Sequence, residues 1–203
     1  MRPRYAGVVP ACGASVRMGR DKALLELHGA SFLSRVSTAL GDGGCDPVVI
    51  VVSPDRSTVV EEARRLPVTL IENADPGEGP ITSLRLALSH LDQTDLGGVV
   101  WLPLDFPLVR AEHVELLLDG AHESGAPIVL FEHQGKRGHP VFFHRSLFPE
   151  LVDPGLRGGA RVVVHRHLAE AHLLEVDDDA VVTDVDTPEI YEAVSRRTDA
   201  DLR

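Results

Sequence analysis

The sequence has few of the residues and segments that build disulfide frameworks, zinc sites or membrane spans. It contains two cysteines in 203 residues, far apart and without a CxxC or paired-histidine spacing, so we expect neither a disulfide framework nor a zinc site. The amino-terminal segment has no long apolar stretch, and no run approaches about eighteen apolar residues, which excludes a secretory signal and a membrane span. The cytoplasm is therefore the expected location.

Positive charge is scarce, and lysine is scarcer still. The net charge is −11 at pH 7, which argues against a nucleic-acid surface because such proteins usually carry a basic face. We therefore expect small molecules or other proteins as partners. Of the 20 basic residues only two are lysines, Lys22 and Lys136. Lys22 thus departs from the chain's preference for arginine, which indicates a position where a compact ammonium is needed.

The chain also lacks a linker. With 203 residues and 43% hydrophobic content it is long enough for a full core, and we predict one domain over residues 1–203. The stretch 153–161, rich in glycine, proline and charge, is too short to separate two cores. We find no internal repeat and no low-complexity segment.

What is present is an alternation of short β-branched runs with amphipathic helical spacing. We predict strands at 6–9, 48–52, 68–71, 98–102, 128–131, 141–143 and 172–176, and helices at 32–40, 59–66, 81–91 and 114–121. This pattern predicts an α/β fold with a doubly wound, mostly parallel sheet. Ligands of such sheets bind where loops leave the carboxyl ends of the strands.

The segment 5–22, YAGVVPACGASVRMGRDK, passes from an apolar run into a glycine-punctuated loop. Gly13 and Gly19 allow conformations and close approaches that a side chain would block. Groups that can pair with phosphate oxygens come from Ser15, Arg17, Arg20 and Lys22. The spacing matches neither GxGxxG nor a Walker A loop, because arginine and aspartate follow Gly19. We interpret the segment as a polyphosphate-binding loop of another type.

Acidic residues follow two apolar segments. Within VVWLPLDFPLV, residues 99–109, a strand that looks buried ends at Asp105. There Asp105 could hold Mg²⁺ or, equally well on this segment alone, cap a loop before Pro107. Asp184 and Asp186 alternate along a predicted short strand, so they would point the same way and could face a metal with Asp105. Thr187 and Pro188 have the pattern of a helix start.

A further helix start lies at Gly79 and Pro80. Its free backbone N–H groups could meet a nucleotide or an acceptor phosphate, although a plain junction between loop and helix explains the pattern as well.

These motifs together resemble one family. The segment 5–22 is similar to the LAAGxSxRMGxxK signature of the molybdenum cofactor nucleotidyltransferases, with Pro10 and Cys12 departing from it. The resemblance implies a Rossmann-like nucleotide-diphospho-sugar transferase fold. It also implies a nucleotide site formed by Ala11, Cys12, Gly13, Ala14, Ser15, Arg17, Lys22, Gly79 and Ser83, with contact by Thr82 as well.

The remaining motifs carry the rest of the resemblance. Asp105 and Pro107 match the family's DxP metal-binding element, and DVDTPE is similar to its DxDTPEDY ending. The likeness implies Asp105 and Asp184 as Mg²⁺ ligands, with Asp186 as the alternative to Asp184, and it implies catalytic roles for Arg17, Lys22 and Asp105. The GHPV element resembles that of the cytidylyltransferase branch, which implies that Gly138 and His139 lie at the acceptor pocket.

The resemblance implies transfer of CMP or GMP from CTP or GTP to the phosphate of a molybdopterin-type cofactor, with pyrophosphate released. GHPV and DVDTPE favour the cytidylyl branch and MGRDK and GPITSLRLAL the guanylyl branch, while the Cys12 side chain, where the guanylyl pattern has glycine, inclines us to CTP. Other hypotheses are transfer to another phosphorylated acceptor and a non-catalytic cofactor carrier that serves a molybdoenzyme partner. An NAD-dependent oxidoreductase is disfavoured by the missing GxGxxG.

Overall fold

The structure is a computed structural model of the chain, and it describes residues 3–13, 18, 20–91 and 95–197. Its centre is a seven-stranded sheet with the strand order β5-β4-β1-β6-β8-β7-β9. Its strands are β1 (Arg4–Ala11), β4 (Val48–Val52), β5 (Thr69–Glu72), β6 (Leu96–Trp101), β7 (Ile128–His133), β8 (Lys136–His144) and β9 (His172–Glu175). A separate small hairpin consists of β2 (Glu26–Leu27) and β3 (Ala30–Ser31).

The sheet is mostly parallel, as the sequence predicts. Strands β5, β4, β1 and β6 pair in parallel, and β7 pairs in parallel with β9. Strand β8 runs antiparallel to both of its neighbours, because a two-residue turn at Gln134 and Gly135 joins it to β7. Both turn residues have positive φ, 49° and 77°, which is the backbone geometry of tight hairpin turns.

Helices cover both faces of the sheet, which explains why the central strands are nearly continuous apolar runs. The helices are α1 (Phe32–Asp42), α2 (Ser57–Ala63), α3 (Pro80–Leu91), α4 (Ala111–Ser124), α5 (Phe148–Val152), α6 (Ala160–Arg166) and α7 (Pro188–Ser195). One apolar cluster contains buried residues of α1, α2 and α4, and a second contains those of α3, α5 and α6. None of the helices in the described ranges is long and apolar enough to cross a membrane.

The predicted strand at Asp184 and Asp186 is wrong, although the predicted helix start after it is confirmed. Residues 183–186 are irregular. The segment instead lies against the loop after β6, where the Val185 amide donates to the Asp105 carbonyl at 2.8 Å and the Val185 side chain is fully buried. Thr187 caps α7 by accepting from the Ile190 amide, and Pro188 is the first helical residue.

Candidate active site

The predicted site residues converge at the carboxyl ends of β1 and β6. Strand β1 ends at Ala11 and leads into Cys12 and Gly13, and β6 ends at Trp101 shortly before Asp105. Four predicted loop residues, Ala14, Ser15, Arg17 and Gly19, lie outside the described residues. Seven of the others line one cavity of about 520 Å³, which we call the loop cleft: Cys12, Gly13, Lys22, Gly79, Ser83, Asp105 and Asp186. Ala11 and Asp184 are not part of this lining.

Lys22 occupies the centre of the acidic part of the cleft. It begins a short 3₁₀ turn whose preceding residue, Asp21, accepts from the Ala23 amide. The ammonium donates to Asp105 Oδ1 at 2.6 Å and to Asp186 Oδ1 at 2.5 Å, although the residue is only 4% exposed. Burial alone would lower the pKa of Lys22, but the hydrogen bonds to the two carboxylates outweigh it and raise the pKa. The lysine is therefore charged at neutral pH.

Three carboxylates stand together at this point. Asp105, Asp184 and Asp186 each offer an oxygen, and these oxygens lie within 4.8 Å of one another. The hydrogen bond from Val185 to the Asp105 carbonyl fixes the carboxyl-terminal segment beside the β6 loop. Asp184 and Asp186 could therefore both contribute to one metal site together with Asp105, and Asp186 contacts Lys22 directly.

Cys12 is joined to helix α3. Its thiol donates to the Val51 carbonyl at 3.4 Å, and the Ser83 hydroxyl donates to the Cys12 sulfur at 3.4 Å. Asn73 in turn donates to Ser83 and to Thr82, at 3.3 and 2.9 Å. Burial raises the pKa of the Cys12 thiol, which is therefore protonated at neutral pH. Cys12 and Ser83, predicted to contact the nucleotide, line one wall of the cleft, whereas Thr82 is hydrogen-bonded to Asn73 and is not part of the lining.

Arg56 is a residue that the sequence analysis missed. It lies between β4 and α2, and its guanidinium donates to the Ala11 carbonyl at 3.2 Å, to the Gly13 carbonyl and to the Asp21 carboxylate. These partners precede and follow the glycine-rich loop, so Arg56 connects the two ends of that loop. No local motif distinguishes Arg56 from a surface arginine, because its partners are more than thirty residues away.

A second cavity, of about 780 Å³, adjoins the cleft, and Pro80 lines both. We call it the arginine cavity. Its apolar lining includes Trp101, Leu130, Val141 and Phe143, and its polar lining includes Arg137, Arg157, Arg161 and His165. Gly138 and His139 also border it, where the sequence analysis placed an acceptor pocket.

Gly138 and His139 have distinct roles in that wall. A Cβ at position 138 would lie 2.1 Å from the Val181 carbonyl oxygen, so only glycine fits there. The His139 ring packs on Phe106 with centroids 4.5 Å apart, and its Nδ1 is buried with no partner among the described residues. Burial lowers the pKa of His139 to about 4 in spite of a hydrogen bond with the Trp101 backbone. This histidine is therefore neutral at pH 7.

Known proteins share this arrangement of elements. Residues 7–173 match the model of the MobA-like NTP transferase domain. The chain is 29% identical over 201 residues to a probable molybdenum cofactor guanylyltransferase of Mycobacterium avium (strain 104). The alignment covers 98% of this chain and 94% of that protein. It is 27% identical over 205 residues to the purine catabolism protein PucB of Bacillus subtilis (strain 168), with 96% and 97% covered.

A solved structure agrees with the sequence matches. The crystal structure of Rv0371c from Mycobacterium tuberculosis H37Rv superimposes with a TM-score of 0.82 and 26% identity, over 97% of this chain and all of that one. A structure of the same protein in complex with manganese gives a TM-score of 0.78, with 24% identity and 96% and 100% covered. The family model covers most of the chain, and the predicted family is confirmed. The chain therefore belongs to the MobA-like NTP transferase family and is a nucleotidyltransferase.

Proposed function

We propose that the protein transfers a nucleotidyl group, CMP in the first instance, from a nucleoside triphosphate to the phosphate of a molybdopterin-type cofactor. The observation that carries the proposal is the adjacency of the two cavities. The loop cleft is lined by Cys12 and Gly13, by Lys22 and by the carboxylates of Asp105 and Asp186. The arginine cavity, on the other side of Pro80, has the volume and apolar lining of a small-molecule pocket.

The transfer needs positioning and charge neutralisation rather than a strong base. An acceptor phosphate oxygen attacks the α-phosphorus and forms a new P–O bond, while the bond from the α-phosphorus to the bridging oxygen of pyrophosphate breaks. The second pKa of a phosphate monoester is about 6, so the attacking oxygen is already ionised at neutral pH. Lys22, Arg17 and the backbone of Gly13 would stabilise charge on the triphosphate.

The acidic group fits a hard divalent cation. Asp105, Asp184 and Asp186 present only carboxylate oxygens, the ligand type that Mg²⁺ prefers, and their spacing allows two or three of them to share one ion. A bound Mg²⁺ would neutralise charge on the phosphates. The structure of the Rv0371c protein with manganese supports a divalent ion in this family. Lys22 would orient Asp105 and Asp186 for that ion.

The choice of nucleotide rests on the wall formed by Cys12 and Ser83. The Cys12 side chain occupies space beside helix α3 that a glycine would leave open, which favours the smaller base of CTP. The relative named as a guanylyltransferase supports GTP as the alternative. Substituting Cys12 by glycine should raise kcat/KM for GTP relative to CTP by about tenfold, the scale of a small steric change in a pocket. A ratio that does not move would place base selection elsewhere.

Two other functions stay as alternatives. Transfer to another phosphorylated acceptor is compatible with the same cleft. The similarity to PucB, which is named as a purine catabolism protein, supports keeping this alternative. A non-catalytic carrier that delivers its ligand to a molybdoenzyme is disfavoured, because such a protein has no use for the paired Lys22 and Asp105.

The decisive experiment follows dinucleotide product and pyrophosphate with metal-free molybdopterin, Mg²⁺ and either CTP or GTP. Asp105→Asn should abolish Mg²⁺-dependent turnover while nucleotide still binds weakly through the loop. Asp42→Asn, an exposed carboxylate at the end of α1, is the matched control and should leave turnover unchanged. Normal turnover of Asp105→Asn, or no product from the wild type with either nucleotide, would contradict the proposal.

A further inference from the structure

The segment Asp153–Arg161, which the sequence analysis considered only as a linker, borders the arginine cavity. It leads from α5 into α6, and Arg157 from its middle and Arg161 from the first turn of α6 line the cavity together with Arg137 of β8. The proposed nucleotidyl transfer does not use these arginines, because the phosphates would bind in the loop cleft, beside Lys22 and the carboxylates. Their role therefore needs an explanation of its own.

The charge around this cavity is opposite to that of the whole chain. The net charge is −11, yet the only carboxylate among the described lining residues is Glu78, and Arg85 pairs with it at 3.1 Å. Within the described part of the chain, Arg137, Arg157 and Arg161 make no ion pair and no side-chain hydrogen bond. In so acidic a protein, three uncompensated guanidinium groups around one cavity indicate an anionic ligand.

The loop that carries Arg157 and leads into Arg161 is held by hydrogen bonds. Arg85 donates to the Asp153 carbonyl at 2.8 Å and to the Leu156 carbonyl at 3.4 Å, and the Asp153 carboxylate accepts from the Gly155 amide at 2.8 Å. Leu156 is itself buried in the apolar cluster beneath α3. A loop held in this way positions Arg157 and the start of α6 before a ligand arrives, which reduces the entropy cost of binding.

The occupant must be larger than a simple anion. The cavity measures about 780 Å³, and its apolar floor includes Trp101, Val141 and Phe143. Such a floor suits a flat ring system, and inorganic phosphate would leave it exposed to water. The cavity thus combines a surface for an apolar body with a cationic rim.

We propose that the acceptor carries a second anionic group, separate from the phosphate that reacts, and that Arg157 and Arg161 bind this group. The inference rests on the proposed function. The reacting phosphate must lie beside Lys22 and Asp105, which line the loop cleft and not the arginine cavity. An acceptor that reaches from one cavity to the other past Pro80 therefore presents its remote end to the arginines.

The test uses the intrinsic fluorescence of Trp101, the single tryptophan of the chain, which lines the cavity. The probe is metal-free molybdopterin, whose dithiolene is the candidate second anion, without any nucleotide. We expect saturable quenching that weakens by on the order of tenfold in Arg157→Ala and in Arg161→Ala, and further in the double variant, the scale of lost charge-assisted hydrogen bonds. Arg64→Ala, an exposed arginine after α2, is the matched control.

Two further measurements separate the second anion from the reacting phosphate. Phosphatase-treated molybdopterin keeps the dithiolene, so its binding should show the same dependence on Arg157 and Arg161. Arg157→Lys should restore part of the affinity, because the charge returns without the planar fork. Nucleotide affinity should be unchanged in all arginine variants, since the loop cleft is untouched.

The outcomes distinguish this inference from the proposed function. If the wild type makes product and both arginine variants keep the wild-type KM and quenching, the proposed binding of a second anion is wrong and the proposed transferase function is supported. If no nucleotide yields product but quenching still depends on the arginines, the proposed transferase function is wrong and the proposed anion site is supported. Absence of saturable quenching in the wild type would overturn the inference, and melting curves will show that the exposed substitutions leave the fold intact.

Discussion

The loop cleft and the arginine cavity share a wall at Pro80 but balance their charges in opposite ways. In the cleft, Lys22 is bound to two carboxylates, and beside it Arg56 is bound to Asp21, so both of these cations are paired before a ligand arrives. In the cavity, Arg157 and Arg161 have no charged partner among the described residues. A ligand of the cleft must exchange existing ion pairs, which suits a polyphosphate that arrives with a metal. A ligand of the cavity can pair with the arginines without breaking an ion pair among the described residues.

The first prediction concerns the charge pairing in the cleft. Lys22→Ala removes the ammonium between Asp105 and Asp186, so two close carboxylates lose their counter-charge and the melting temperature should fall. Turnover should fall on the order of 10²-fold or more, the scale for one preorganised charge contact. Added Mg²⁺ should recover part of the melting temperature, because the ion supplies the missing charge.

Lys136→Ala is the control for that prediction, since it removes the other lysine of the chain from the exposed start of β8. It should change neither turnover nor melting. A folded Lys22→Ala variant with full activity would remove the central claim about the cleft.

The two regions also differ in how far the sequence predicts them. The glycine loop is contiguous, so its segment and Lys22 could be identified from spacing, and the acidic residues could be found because each follows an apolar segment. The arginine cavity draws its residues from α3, β6, β7, β8, α6 and the segment before α6. Only the folded chain shows that Arg137 and Arg161 border one space, and that Arg56 reaches both ends of the loop.

The second prediction concerns the structural role of Gly138 in the wall of the arginine cavity. Gly138→Ala places a methyl group against the Val181 carbonyl, a backbone atom that cannot move aside alone. We expect a loss of about 1–3 kcal/mol in the free energy of unfolding, the range for overpacking. Gly41→Ala in α1 meets only ordinary contact at 3.8 Å and should not destabilise the chain. Equal stability of the two variants in urea titrations would contradict the close approach.

The third prediction concerns Arg56, which contacts both ends of the glycine loop. Arg56→Ala should raise KM for the nucleotide by about tenfold and change kcat much less, because Arg56 holds the loop ends and the transferred group is bound elsewhere. Arg56→Lys should recover only part of the loss, since one ammonium cannot reproduce contacts with two carbonyls and a carboxylate. Steady-state kinetics with Arg64→Ala as control will test this, and a loss confined to kcat would contradict a positioning role.

The last prediction concerns His139, a neutral residue between the two charged regions. Its pKa of about 4 lies below the ordinary value of about 6.5, so between these values the unfolded chain binds the proton and the folded chain does not. Stability should therefore be highest above pH 6.5 and fall as the pH approaches 4, by roughly 1 kcal/mol per pH unit from this residue. His139→Gln cannot titrate and should show a shallower fall, while His113, whose pKa burial also lowers, contributes equally to both proteins. The comparison requires urea titrations of both proteins at several pH values from 7 to 5. Parallel stability curves would mean that His139 accepts a proton in the folded state, and hence that the wall of the cavity is open to water.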